Sequence, residues 1–119
     1  MTTADIERLC DDVARAVEQV RKGFRSKLDT PEVLDRFWCL QDQVNRLVES
    51  ASDCPSQTFD VIKETHPRLI RNILDVLNFA EKTQFSSAPA ITTSVLRIDR
   101  SLAKLEFLRE QDKAMVASA

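Results

Sequence analysis

The sequence contains one glycine, one histidine, one tryptophan and no tyrosine in 119 residues. Tight β-hairpin turns draw on residues that accept positive φ, glycine above all. So glycine-poor a chain is not expected to fold as a sheet protein. The three cysteines, Cys10, Cys39 and Cys54, cannot all pair within one chain, and none stands in a Cys-x-x-Cys spacing. That usage suits a reducing compartment and argues against a structural disulfide framework or zinc site. No run of about 18 apolar residues occurs to span a bilayer, and the start, MTTADIERLCDD, is acidic where a signal peptide is basic and then apolar. A cytoplasmic location is the expectation.

The charge balance lacks a bias as well. Nineteen acidic and seventeen basic residues, mixed along the chain, leave a net charge of −2, so no global field draws nucleic acid or anionic lipid. Nucleophilic catalysis needs an activating base and an oxyanion hole, and a lone histidine with no glycine-rich turn supplies no oxyanion hole. The Glu-x-x-His pairs of di-iron bundles are missing too. No catalytic group, cofactor, metal or small-molecule substrate is therefore expected.

What is present is helical. Hydrophobic residues make up 43% and charged residues 30% of the chain, a globular composition far from that of disordered segments. Pro31, Pro55 and Pro89 stand beside Thr30, Ser56 and the SSA triplet, a pattern of helix starts. They divide the chain into predicted helices at about 4–28, 31–52, 56–83 and 89–116. Each carries apolar residues alternating three and four apart: Ile6, Cys10, Val13, Val17, Val20, Phe24; then Val33, Phe37, Leu40, Val44, Leu47, Ala51; then Phe59, Ile62, His66, Leu69, Ile73, Val76, Ala80; and finally Ile91, Val95, Ile98, Leu102, Leu105. Rods of roughly 33–42 Å joined by short connections predict an all-α, antiparallel four-helix bundle in one domain, residues 1–119.

The stretch ETHPRLIRNIL places His66 before Pro67 inside the third segment. Because the apolar spacing continues across the proline, the third helix is expected to run on with a kink at Pro67; a break near Thr65 or His66, with a new helix beginning at Pro67, is the alternative. Either way His66 is expected to be partly buried with one ring nitrogen hydrogen-bonded locally. A lone histidine in a four-helix domain is similar to the histidine phosphotransfer modules. Those typically place a lysine three residues on and a small residue four on, where this chain has Leu69 and Ile70, so phosphotransfer through His66 is the less favoured reading.

Two features depart from one-sided helices. Trp38 lies about 160° around its helix from Leu40, with Leu34 as its nearest apolar companion. In the fourth segment Leu96, Ala103, Phe107 and Ala114 make a second stripe almost opposite Leu102 and Leu105. Either these side chains complete the core, or Leu34 with Trp38, or Leu96 with Phe107, binds a partner protein or a second copy, as exposed aromatic anchors do. The basic run RKGFRSK, residues 21–27, could grip phosphate or anionic lipid, although cations at a helix C-terminus also stabilise its dipole. Membrane contact thus has no further support.

The segments FWCLQDQVNRLV and FDVIKETHPRLIRNIL resemble the four-helix N-terminal domains of Cbl-type adaptors and mixed-lineage-kinase-like proteins. The likeness spans about half the chain, is carried by Leu and Val patterning, and assigns no functional residue. It implies a protein-interaction or membrane-active bundle. The expected function is a non-catalytic adaptor or scaffold module, of the kind used in signalling, that presents a helical surface to a partner; a self-assembling or membrane-associating bundle is the alternative.

Overall fold

A computed structural model describes residues 2–118, apart from the side chains of residues 84 and 86. It is all-helical: α1 (Thr3–Arg25), α2 (Thr30–Asp53), α3 (Pro55–Thr65), α4 (Leu69–Glu81) and α5 (Pro89–Ser118), with a 3-10 turn at Gln84–Ser87 and no strand among the described residues.

The helix ends follow from local chemistry. At the start of α1, Thr2 and Asp5 form a reciprocal capping box, which satisfies two of the orphan N–H groups of the first turn. Hydrogen bonds from the Thr2 backbone N–H and hydroxyl hold the Asp5 carboxyl below its ordinary pKa. The other end of α1 closes as a Schellman motif: Leu28 N–H reaches the Gly23 carbonyl and Lys27 N–H the Phe24 carbonyl, with Lys27 in the left-handed region at φ 53°. The single glycine does not take that position. Gly23 lies inside α1, where a Cβ would come within 3.3 Å of Arg36 Cδ. Helix α2 is capped by Asp29, whose carboxylate accepts from Glu32 N–H at 3.2 Å, with Thr30 and Pro31 already inside the first turn.

One residue, Cys54, separates α2 from α3. This corner is held by buried polar contacts: the Ser50 and Thr58 hydroxyls lie 2.9 Å apart, and the Cys54 thiol donates to the Ser50 carbonyl at 3.3 Å.

The kinked third helix expected from the apolar spacing is instead two helices. Helix α3 ends at Thr65, His66 adopts φ −140° and ψ 63°, and α4 begins at Leu69. Pro67 explains the break: its ring disfavours the helical conformation of the residue before it, and it has no N–H to continue the ladder. Both halves nevertheless keep the same buried stripe, with Phe59 and Ile62 before the break and Leu69, Ile73, Val76 and Ala80 after it.

Chain direction alternates as the short connections require, yet not every spatial neighbour is antiparallel. Gln57 bonds Thr3, His66 bonds Asp11 and Arg21 bonds Asn72, so α1 runs parallel to the α3–α4 pair. Ser94 bonds Gln41 and Ser101 bonds Asn45, so α5 runs parallel to α2. The closed core contains Ile6, Val13, Val20, Phe37, Leu40, Leu47, Ile73, Ile98 and Leu105, each fully buried. At one end Phe24 contacts Phe37, Phe79 and Phe85 at ring-centroid distances of 6.0, 4.9 and 5.7 Å.

Candidate interaction surfaces

Helix α5 is apolar on two sides. Its inward stripe, Ile91, Val95, Ile98, Leu102 and Leu105, is buried, and beyond Leu105 only Leu108 still packs on the core while Arg109 and Asp112 share that side. Its outward stripe stays in solvent: Leu96 is 54% and Phe107 60% exposed, and Ala103 and Ala114 are exposed as well. Trp38 on α2 is 52% exposed, while Leu34, one turn earlier, is half-buried against the core. The core closes without Trp38, Leu96 or Phe107.

These residues do not form one patch. Trp38 shares a helical stripe with Gln41 and Asn45, whose side chains accept hydrogen bonds from Ser94 and Ser101 at 3.0 and 2.7 Å. It therefore flanks the α2–α5 seam. Leu96 and Phe107 lie about 120–160° around α5 from those serines, on the side turned away from α2.

Phe79 is a further exposed aromatic, one that the apolar stripes did not single out. It is 52% exposed, packed on Phe24 with the rings tilted by 46°, and it borders a depression of about 350 Å³ with Arg21, Arg25 and Asp75. The same helical wheel that isolates Trp38 would have found it, because Phe79 stands off the stripe of Ile73, Val76 and Ala80. A groove of about 630 Å³ runs between α3, the start of α4 and the end of α5. Phe59, Ile62 and Ile70 form its apolar floor, Pro67 and Lys63 one rim, and Arg109 lies along it. Ser56 on α3 donates to Asp112 across its end.

His66 sits in the α3–α4 corner, partly buried, with Nε2 2.7 Å from Asp11 Oδ1. Its partner is thus a carboxylate from α1 rather than a freed carbonyl of its own segment. The Asp11 carboxylate engages Nε2, and no hydroxyl or thiol bonds the ring among the described residues. Arg25, in the basic run, donates to Glu18 at 2.7 Å, while Lys22 and Arg25 occupy the last turn of α1, where cations complement the helix dipole. No cluster of three or more His, Cys, Asp or Glu side chains is arranged to hold a metal among the described residues, and no described helix is long and apolar enough to cross a membrane.

The exposed aromatics Trp38, Phe79 and Phe107 stand beside charged and small neighbours, and side chains of this kind gain free energy when desolvated against a complementary face. No protein-family model, curated protein or solved structure matches the chain, so the case for these surfaces rests on their own geometry.

Proposed function

We propose that the chain is a non-catalytic protein-interaction module, an adaptor or scaffold acting in the cytoplasm, that presents helical faces to another protein. In this reading α3 and α4 together fill one position of a four-helix bundle, and the bundle is the rigid support. The observation that carries the proposal is the division of aromatics: Phe37 is fully buried whereas its sequence neighbour Trp38 is half exposed. An exposed tryptophan and phenylalanine contribute little to folding, and such residues dominate the affinity of interfaces that bury them. The resemblance of the middle segments to adaptor-domain helices is one of patterning and adds no residue to this reading.

The test is crosslinking combined with affinity purification from the native cell, comparing the wild type with Trp38→Ala and Phe107→Ala. Capture of a defined protein by the wild type, weakened by either substitution with the fold intact, is the expected result. A chain that captures nothing, or whose captured proteins are indifferent to both substitutions, would sink the proposal.

A further inference from the structure

The outward face of α5 is complementary to itself. Leu96, Arg100, Ala103, Phe107, Glu110 and Ala114 follow one another at spacings of four, three, four, three and four, and all six fall within about 40° of one line along the helix. All six are exposed or nearly so along a face that no other element of the bundle covers. That is the spacing of a coiled-coil seam, carried here by four apolar and two charged residues.

An antiparallel copy of the same helix, centred between Ala103 and Phe107, meets this seam in six layers. Leu96 faces Ala114, Arg100 faces Glu110, and Ala103 faces Phe107, each pair occurring twice about the two-fold axis. Every layer then joins opposites: a long apolar chain over a methyl, a cation over a carboxylate, a large ring over a methyl. Arg100 has no ion-pair partner among the described residues, and Glu110 meets only Lys113, on the open surface at 3.6 Å. The parallel arrangement stacks Arg100 on Arg100 and Glu110 on Glu110, and like charges brought together oppose association. A shift of the antiparallel pair by one heptad sets Arg100 against Ala103 and loses the ion pair. Charge thus selects this orientation and this register, and its layers match large side chains with small ones.

From this we infer that the chain associates with a second copy of itself through an antiparallel, isologous contact of α5 about Ala103 and Phe107. The inference rests on the reading of the chain as an interaction module and names the partner of one of its faces. A single helix pair about 27 Å long covers less than a standard interface of about 800 Å² per partner. The association is accordingly weak and dependent on concentration.

Sedimentation equilibrium on the full chain, loaded to about 1 mM to reach such weak association, tests it with two charge reversals. The wild type is expected to show a monomer–dimer equilibrium. Arg100→Glu and Glu110→Arg, both at exposed positions, are each expected to weaken it about tenfold or more by facing like charges. An equimolar mixture of the two variants is expected to recover dimer. In the mixed pair one copy carries carboxylates at both charged positions of its seam and the other carries cations at both, so each charged layer again joins opposite signs. Circular dichroism of each variant checks that the fold is retained. A wild type that stays monomeric, single reversals without effect, or a mixture that fails to recover would each overturn the inference. Capture of a different protein through Trp38 by a monomeric wild type would leave the broader reading standing, whereas a chain that neither dimerises nor captures a partner would remove both.

Discussion

His66 and Asp11 are joined across the bundle, Nε2 to Oδ1 at 2.7 Å, although fifty-five residues separate them in the chain. The contact ties the α3–α4 corner to α1, and Asp11 is largely exposed. Surface pairs of this kind contribute about 0–1 kcal/mol. His66→Gln and Asp11→Asn are each expected to lower unfolding free energy in urea by about 0.5–1 kcal/mol, and the double variant by less than the sum. Loss of a biological activity with unchanged stability in His66→Gln would show that the ring does more than join helices.

Phe37 and Trp38 offer a direct contrast of buried and exposed aromatics. Phe37→Ala removes a fully buried ring and is expected to cost about 3–5 kcal/mol. Trp38→Ala and Phe107→Ala are expected to cost under about 1 kcal/mol. Trp38 is also the sole tryptophan, so its fluorescence is expected to be solvent-like in the free chain and to shift to the blue when a partner covers it. Core-like destabilisation by Trp38→Ala would remove that residue from any interface.

The three thiols differ in reach. Cys39 is exposed, Cys54 half-buried and Cys10 buried. Thiol labelling is expected to follow that order, with Cys10 reacting only on unfolding. Burial, together with the nearby Asp11 and Glu7 charges, pushes the Cys10 pKa from 9.0 up to about 11. The folded chain therefore holds that proton where the unfolded chain releases it, and stability should fall as the pH rises through this window. Below the unfolded value of 9.0 the contribution is fully present. Cys10→Ala is expected to flatten that decline, and pH-dependent urea titrations of the two proteins measure it.

Lys27 occupies a left-handed position that glycine fills without steric cost. Lys27→Gly is expected to stabilise the chain by about 1 kcal/mol and to raise the melting temperature by a few degrees. Gly23→Ala is expected to gain far less than the usual helix increment of about 1 kcal/mol. Its new Cβ would press on Arg36 Cδ, and the Arg36 guanidinium is tied to the Gln19 carbonyl at 2.6 Å. Thermal melts of both variants test the pair.

The buried stripes and the helix starts at Pro55 and Pro89 were legible because period and proline chemistry are local. Asp29 was not legible as the α2 cap because Thr30 is an equally good candidate by type; only the backbone decides which oxygen reaches Glu32 N–H. At Pro67, unbroken apolar spacing argued for a continuous helix, but two helices can share one stripe across a break. The lateral order of the helices was not legible, since a stripe says what is buried and not against which neighbour. Phe85 illustrates this: it lies in the turn before Pro89, outside every periodic segment, and is nonetheless buried against Phe24. Among the named surface residues, the positions of Trp38, Leu96 and Phe107 off the main stripes left core and solvent equally open, because a wheel angle does not say whether a neighbouring helix covers that side; all three are exposed, whereas Leu34 packs on the core.

The parallel pairing of α2 with α5 bears on how the chain reaches its native state. Helices α1 and α2 form a local hairpin that can assemble early, but Gln41 and Asn45 must wait for Ser94 and Ser101, more than fifty residues away. Contacts so distant in sequence form late, after the loop entropy has been overcome. During synthesis the side of α2 that α5 will cover remains open until α5 has emerged. Docking of α5 therefore closes the core and fixes Leu96 and Phe107 on the outside in one event, so that the two apolar sides of α5 acquire their separate environments together.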